Sequence, residues 1–191
     1  MASVQPFLHA NGGVGIAQGT NVGQRVGQKI TIKSIEWMLR ISGAASTSGT
    51  YGPMCIDVIL DKQCNGTIVA TADLYAHMLS GTPTAVADIA GSRGPRNLIN
   101  SKRFVTIAKK VFQPVSLIYT AATSFSPNGA MVHGYKKVNI PIEYGLSGSA
   151  PTDGAVAQIK SNNLYIVISY SSPGASGNID VQLFTRTRYQ D

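Results

Sequence analysis

Between Lys29 and Ile41 the chain alternates apolar and polar residues with a period of two, and the alternation changes phase part-way. Ile30 and Ile32 fall on one parity, whereas Ile35, Trp37, Leu39 and Ile41 fall on the other. Successive side chains of a strand point to opposite faces. A strand that keeps one apolar side through this segment must therefore bend or carry a bulge near Ser34. The period excludes a helix here and predicts one long strand that passes between two packing environments.

Further segments carry the same signal. Residues 54–60 put Met54, Ile56, Val58 and Leu60 on one side, with Cys55, Asp57, Ile59 and Asp61 opposite, which reads as a polar outer face. Strands are also expected over 102–111, 135–142, 164–170 and 177–189, with a further apolar stretch over 115–119. Pro141 marks an edge or a strand end, and 164–170 is apolar on both faces. One short helix is expected over 71–79, with Thr71 as N-cap, Asp73 in the first turn, and Gly81 and Pro83 closing it. The expectation is an all-β fold of eight or so strands, an antiparallel sandwich with Greek-key wiring and one short helix in a connecting loop. Residues 1–27 are Gly-rich and nearly uncharged and read as a flexible or surface-hugging arm, leaving 28–191 as the folded domain. At 191 residues such a domain is large enough to need no disulfide or metal.

Charge narrows the function. Sixteen Lys and Arg against nine Asp and Glu give +7, a sign that favours a polyanion or an acidic surface as partner. Basic residues cluster within or beside the strands, at Lys102-Arg103, Lys109-Lys110, Lys136-Lys137 and Arg186-Thr187-Arg188. Enzymatic patterns are absent. His9, His77 and His133 are scattered, no phosphate loop or nucleophile elbow occurs, and Cys55 and Cys64 have no zinc spacing. Free thiols are expected, with no cofactor, no metal and no enzymatic activity. Asp57 and Asp61 share a strand face, which suits solvation or inter-subunit ion pairs better than catalysis; calcium between subunits at Asp57, Asp61 or Asp191 stays open. The first ten residues lack a signal-peptide pattern, and no apolar run reaches membrane-spanning length.

Four segments, in order, resemble the capsid proteins of small circular single-stranded DNA viruses, whose jelly roll is similar to that of satellite tobacco necrosis virus. They are 21–32 (NVGQRVGQKITI), 59–66 (ILDKQCNG), 100–107 (NSKRFVTI) and the closing 184–191 (FTRTRYQD). Together they cover roughly a third of the chain. The resemblance implies an eight-stranded antiparallel jelly-roll sandwich, with 28–191 as the jelly-roll capsid domain, that self-assembles into an icosahedral shell of the simplest, sixty-subunit kind. Such a shell encloses single-stranded nucleic acid, which the resemblance tilts toward a DNA genome while RNA stays open, in a virion assembled in the host cell, with the nucleus as the expected compartment. The family begins with an arginine-rich arm, whereas the first basic residue here is Arg25, which weakens the expectation of tight packaging. The competing class is a carbohydrate- or receptor-binding jelly-roll module, trimeric and lectin-like, which wants an aromatic-lined groove rather than basic strands.

On this reading Arg25, Lys29, Lys33, Lys102, Arg103, Lys109, Lys110, Arg186 and Arg188 are the candidates for a basic inner surface that binds nucleic acid. Arg186 and Arg188 share a parity with Phe184, an arrangement suited to stacking on a base or to a contact between subunits. Solvated strand-end charge is the simpler account of Lys102, Arg103, Lys109 and Lys110. Asp73, Asp88, Arg93 and Arg96 are candidates for subunit interfaces, and Trp37 is expected in the core.

Overall fold

The computed structural model describes residues 2–9, 15–21, 23–43, 54–79, 82–85, 96–112, 130–145, 154–170 and 179–191. The strands are β1 (Ala2–Pro6), β2 (Lys29–Gly43), β3 (Met54–Asp61), β4 (Ala76–Leu79), β5 (Thr82–Ala85), β6 (Phe104–Phe112), β7 (Ala130–Tyr144), β8 (Ile159–Ser161), β9 (Asn163–Tyr170) and β10 (Ile179–Gln190). They form two four-stranded antiparallel sheets, ordered β1-β9-β3-β6 and β10-β2-β7-β8, and a small β4-β5 ribbon. The fold is an all-β sandwich. The apolar stretch 115–119 lies outside the described residues.

The long strand behaves as its sequence requires. Its pairing with β10 and with β7 shifts register between Ile32 and Ser34. Ile30 and Ile32 before the shift, and Ile35, Trp37, Leu39 and Ile41 after it, are all buried. The bulge thus keeps one apolar face turned inward along fifteen residues. That face meets Met54, Ile56 and Val58 of β3 and Leu164, Ile166 and Ile168 of β9 across the sandwich.

The β1-β9-β3-β6 sheet is buried on its other side as well. Ile59, Phe104, Tyr165 and Val167 there pack under Val69, Leu74 and Tyr75 from the connection after β3. This corrects the polar outer face expected for β3: Cys55, Asp57, Ile59 and Asp61 are all fully buried. The helix is also shorter than expected. It covers one turn, Thr71–Leu74, preceded by Ala70 as N-cap. Asp73 accepts from the Ala70 backbone N–H at 3.3 Å, and the chain then turns extended at Tyr75 to enter β4. Tyr75 is buried against the β3 sheet, where its hydroxyl donates to Asp57.

The leading segment is not a free arm where it is described. Ala2–Pro6 pairs with β9, and Phe7 is buried in the core. The stretch before β2 docks on the sandwich through Arg25, and Gly154 lies beneath it with φ +72°. A Cβ on Gly154 would lie 2.5 Å from the Ile16 carbonyl oxygen. Gly154→Ala is therefore expected to lower stability by about 1–2 kcal/mol through backbone strain and displacement of the docked segment. A urea-melt midpoint equal to that of the parent would refute this account.

Candidate nucleic-acid interface

The outer face of β10, β2 and β7 is a grid fixed by strand register. Gln182, Arg40 and Met131 form one row, followed by Phe184, Met38 and His133, then Arg186, Glu36 and Tyr135, then Arg188, Ser34 and Lys137. Beyond the bulge, Lys33 of β2 donates to the side-chain oxygen of Asn139 at 2.9 Å, and Lys29 lies 3.9 Å from Glu143. On β10 the alternation is complete: Val181, Leu183, Thr185, Thr187 and Tyr189 are half-buried, while Gln182, Phe184, Arg186, Arg188 and Gln190 are exposed.

Six cations, Arg40, Arg186, Arg188, Lys137, Lys33 and Lys29, thus share one sheet face with the two carboxylates Glu36 and Glu143. Glu36 is engaged by His133 at 2.8 Å. That hydrogen bond, aided by the charges of His133, Arg186 and Arg188, holds the Glu36 carboxyl below its ordinary range. Among the described residues no hydrogen bond or ion pair ties down Arg40, Arg186, Arg188 or Lys137. Tyr135 and Met131 stand exposed beside them. A face of unpaired guanidinium and ammonium groups with an exposed phenol can neutralise phosphates and offer a π-surface to an unstacked base.

The sequence candidates divide sharply on this geometry. Lys29, Lys33, Arg186 and Arg188 come together on the face. Arg25 does not: its residue is 1% exposed. Its Nε donates to the Ile16 carbonyl at 3.1 Å and its Nη1 to the Gly27 carbonyl at 2.6 Å. The guanidinium lies 4.1 Å from the centroid of the Tyr144 ring. It is a clamp for the segment before β2, chosen by the carbonyls it must satisfy.

Arg103 is likewise a structural residue. Its Nε and Nη2 donate to the two oxygens of Asp61 at 2.8 and 2.7 Å, a pairing that raises its basicity further. The guanidinium also lies 4.8 Å from the Phe104 ring centroid. Lys102, Lys109 and Lys110 are exposed but belong to the other sheet or its approach. Lys110 donates to the His133 carbonyl at 3.2 Å, linking the two sheets at their edge.

The carboxylates offered no catalytic pair. Asp57 accepts a short hydrogen bond from the Tyr75 hydroxyl, and burial together with the Asp57 charge pushes the Tyr75 phenol well above its ordinary range. Asp61 is consumed by Arg103, and Asp191 accepts from the Val26 backbone N–H at 2.8 Å. Asp57 and Asp61 are thus neither solvated nor free to pair between subunits. Among the described residues no group of three His, Cys, Asp or Glu converges on one point. Cys55 and Cys64 are free thiols, and burial raises the Cys64 pKa.

Of the expected interface residues, Asp73 is engaged locally with Ala70, and its backbone carbonyl accepts from the Asn100 amide at 3.1 Å. Arg96 is exposed beside a shallow recess lined by Tyr75, Asn97, Asn100 and Phe104. Asp88 and Arg93 lie outside the described residues. Arg40, Lys137, Tyr135 and Met131 were not among the sequence candidates. The Lys136-Lys137 doublet was visible, but only the β2–β7 register places Lys137 with Arg188 on either side of Ser34.

No family model matches the chain, and no curated protein does either. The site therefore stands on its own geometry. Among the described residues no helix is long and apolar enough to cross a membrane.

Proposed function

We propose that the chain is a capsid subunit that assembles into a small shell and holds single-stranded nucleic acid on the outer face of the β10-β2-β7 sheet, turned toward the cargo. The observation that carries this reading is the set of cations, Arg40, Arg186, Arg188 and Lys137, that share one exposed sheet face and have no ion pair or hydrogen bond among the described residues. Sequence-independent affinity for a nucleic acid comes mainly from phosphate neutralisation and counterion release, and a flat cationic face with an exposed tyrosine provides both charge and a stacking surface. The carbohydrate-binding alternative gains no support from a convergent aromatic groove among the described residues.

Jelly-roll wiring belongs to the same proposal. A jelly roll is a long hairpin rolled double, so its first strand pairs with its last and its second with its second-to-last. The pairs β2–β10 and β3–β9 fit that nesting. In this chain β7 and β6 lie beside β2 and β3 rather than beside β10 and β9. The shell, the DNA genome and the virion are carried by the resemblance of the four sequence segments.

Two measurements test the proposal. Size-exclusion chromatography with absorbance at 260 and 280 nm should give a large particle, and a small species at every salt concentration would overturn the shell. Binding of a labelled oligothymidylate should weaken with salt, with a log–log slope of about −0.7 for each phosphate neutralised. Replacing Arg186, Arg188 and Lys137 together by alanine should flatten that slope by about 2 units while leaving the thermal melt unchanged. An unaltered slope would remove this face from the binding surface.

A further inference from the structure

The strand that carries Arg186 and Arg188 is the outermost of its sheet, and its free edge has unusual features. β10 runs for twelve residues, and its only described strand neighbour is β2. The Phe7–His9 turn meets it through Thr185, whose hydroxyl donates to the Phe7 carbonyl on the core-facing side. Among the described residues the outer backbone edge makes no hydrogen bond to other backbone. Long edge strands are normally guarded by proline, by charged side chains, lysine above all, by a bulge or by a covering segment, because an open edge templates pairing with another chain. β10 contains no proline and no lysine, and its two exposed cations, Arg186 and Arg188, both lie on one side of Phe184, leaving the other half of the strand without an exposed cation. Its one irregularity falls between Arg188 and Tyr189, near the end. Among the described residues the nine positions 180–188 are therefore regular and have no backbone partner on that edge, and their midpoint is Phe184, an aromatic left 48% exposed.

We infer that β10 is a self-pairing edge: two copies of this chain join their β10 strands antiparallel about a two-fold axis at Phe184, making one continuous eight-stranded sheet.

The register follows from charge and shape. A two-fold contact must be self-complementary, each residue i of one copy meeting j of the other and the reverse. Centring on Phe184 sets the two Phe184 rings against each other, a favoured cross-strand pair. It also sets Gln182 across from Arg186, and position 180, an aspartate in the sequence, across from Arg188. Centring on residue 186 would oppose arginine to arginine, and centring on 187 would oppose Arg186 to Arg188, both of which are destabilising. The pairing deepens the shell-subunit reading by naming one contact between copies. It also doubles the cationic face, so a bound polyanion would favour the pair and the pair would bind the polyanion more tightly.

The test uses cysteine variants of the full chain without nucleic acid, in a Cys64→Ser background, since Cys55 is buried. Gln182→Cys and Arg186→Cys are prepared separately, then treated with a short bismaleimide alone and as a mixture. In the inferred register the two sites lie about 5 Å apart across the pair. Two copies of either variant alone hold their thiols about 14 Å apart. The mixture should cross-link to a dimer and neither variant alone should. Cross-linking of single variants as strongly as the mixture, or none in the mixture, would overturn the pairing. Phe184→Lys, an exposed position, should abolish the cross-link with unchanged circular dichroism, and persistence of the link would overturn the centre at Phe184. The shell reading fails separately: cross-linked dimers without larger particles would sink the shell and keep this contact, and shells without the cross-link would do the reverse.

Discussion

Arg103→Met is expected to cost about 3–5 kcal/mol of folding stability, because it strands a buried carboxylate rather than because it removes a favourable pair. Asp61 is 0% exposed. Both of its oxygens are engaged by Arg103, and the Gln63 backbone N–H, at 3.0 Å, is its remaining donor. Without the guanidinium the carboxylate must be protonated, hydrated or exposed, and each route disturbs the β3–β6 junction where Asp61 pairs with Phe104. The melting temperature should fall by about 10 °C for a chain of this size. Replacing both partners, Arg103→Met with Asp61→Leu, should recover most of the loss, since the apolar pair leaves no buried charge. Chemical denaturation of the two single variants and the double variant decides the matter. A loss below about 1 kcal/mol in Arg103→Met, or a double variant worse than the single, would mean that Asp61 is solvated by another route.

Gly134→Ala should be nearly as damaging, at about 3 kcal/mol, the upper part of the range for overpacking. Gly134 sits opposite Trp37 in the β2–β7 register, with Thr185 of β10 on the other side of the tryptophan. A Cβ at residue 134 would come within 2.7 Å of the indole Nε1 and closer still to two ring carbons. The ring cannot yield easily, for it is buried in the main core among β-branched and aliphatic side chains. Trp37 therefore lies across the backbone of β7, and only the missing side chain at 134 lets it do so. The two effects should be strongly non-additive: Trp37→Leu should destabilise the parent but much less the Gly134→Ala chain. Additive losses would show that the alanine is accommodated by a backbone shift instead of by collision with the ring.

The same pairs show where sequence reading succeeds and where it stops. The phase change at Ser34 was legible because it is local: thirteen consecutive residues carry both the period and its reversal, and the bulge follows from keeping isoleucines dry. Trp37 in the core, the doubly apolar 164–170 and the alternation of β10 were legible for the same reason. The outer face of β3 was misread because alternation reports polarity, not exposure. Asp57 and Asp61 resemble solvent-facing residues until Tyr75 and Arg103, distant in sequence, are brought against them. Arg25 misled in the same way: a lone arginine in a Gly-rich stretch reads as a free cation, yet its guanidinium closes the backbone carbonyls of Ile16 and Gly27.

Four of the six cations of the basic face were visible in advance, as Lys29, Lys33, Arg186 and Arg188. What bound these residues to Arg40, Lys137 and Tyr135 was cross-strand register, a relation among segments about fifty to one hundred and fifty residues apart. By itself the sequence determined the all-β class, the long bulged strand, the positive charge and the want of catalytic spacing, because each depends on neighbours along the chain. Only the tertiary structure decided which cations are spent on buried carbonyls and carboxylates and which are left together on an open sheet. That division is set by what each guanidinium or ammonium group meets after the sheets pack, and burial makes an unpaired charge too costly to keep while an exposed one remains free to bind.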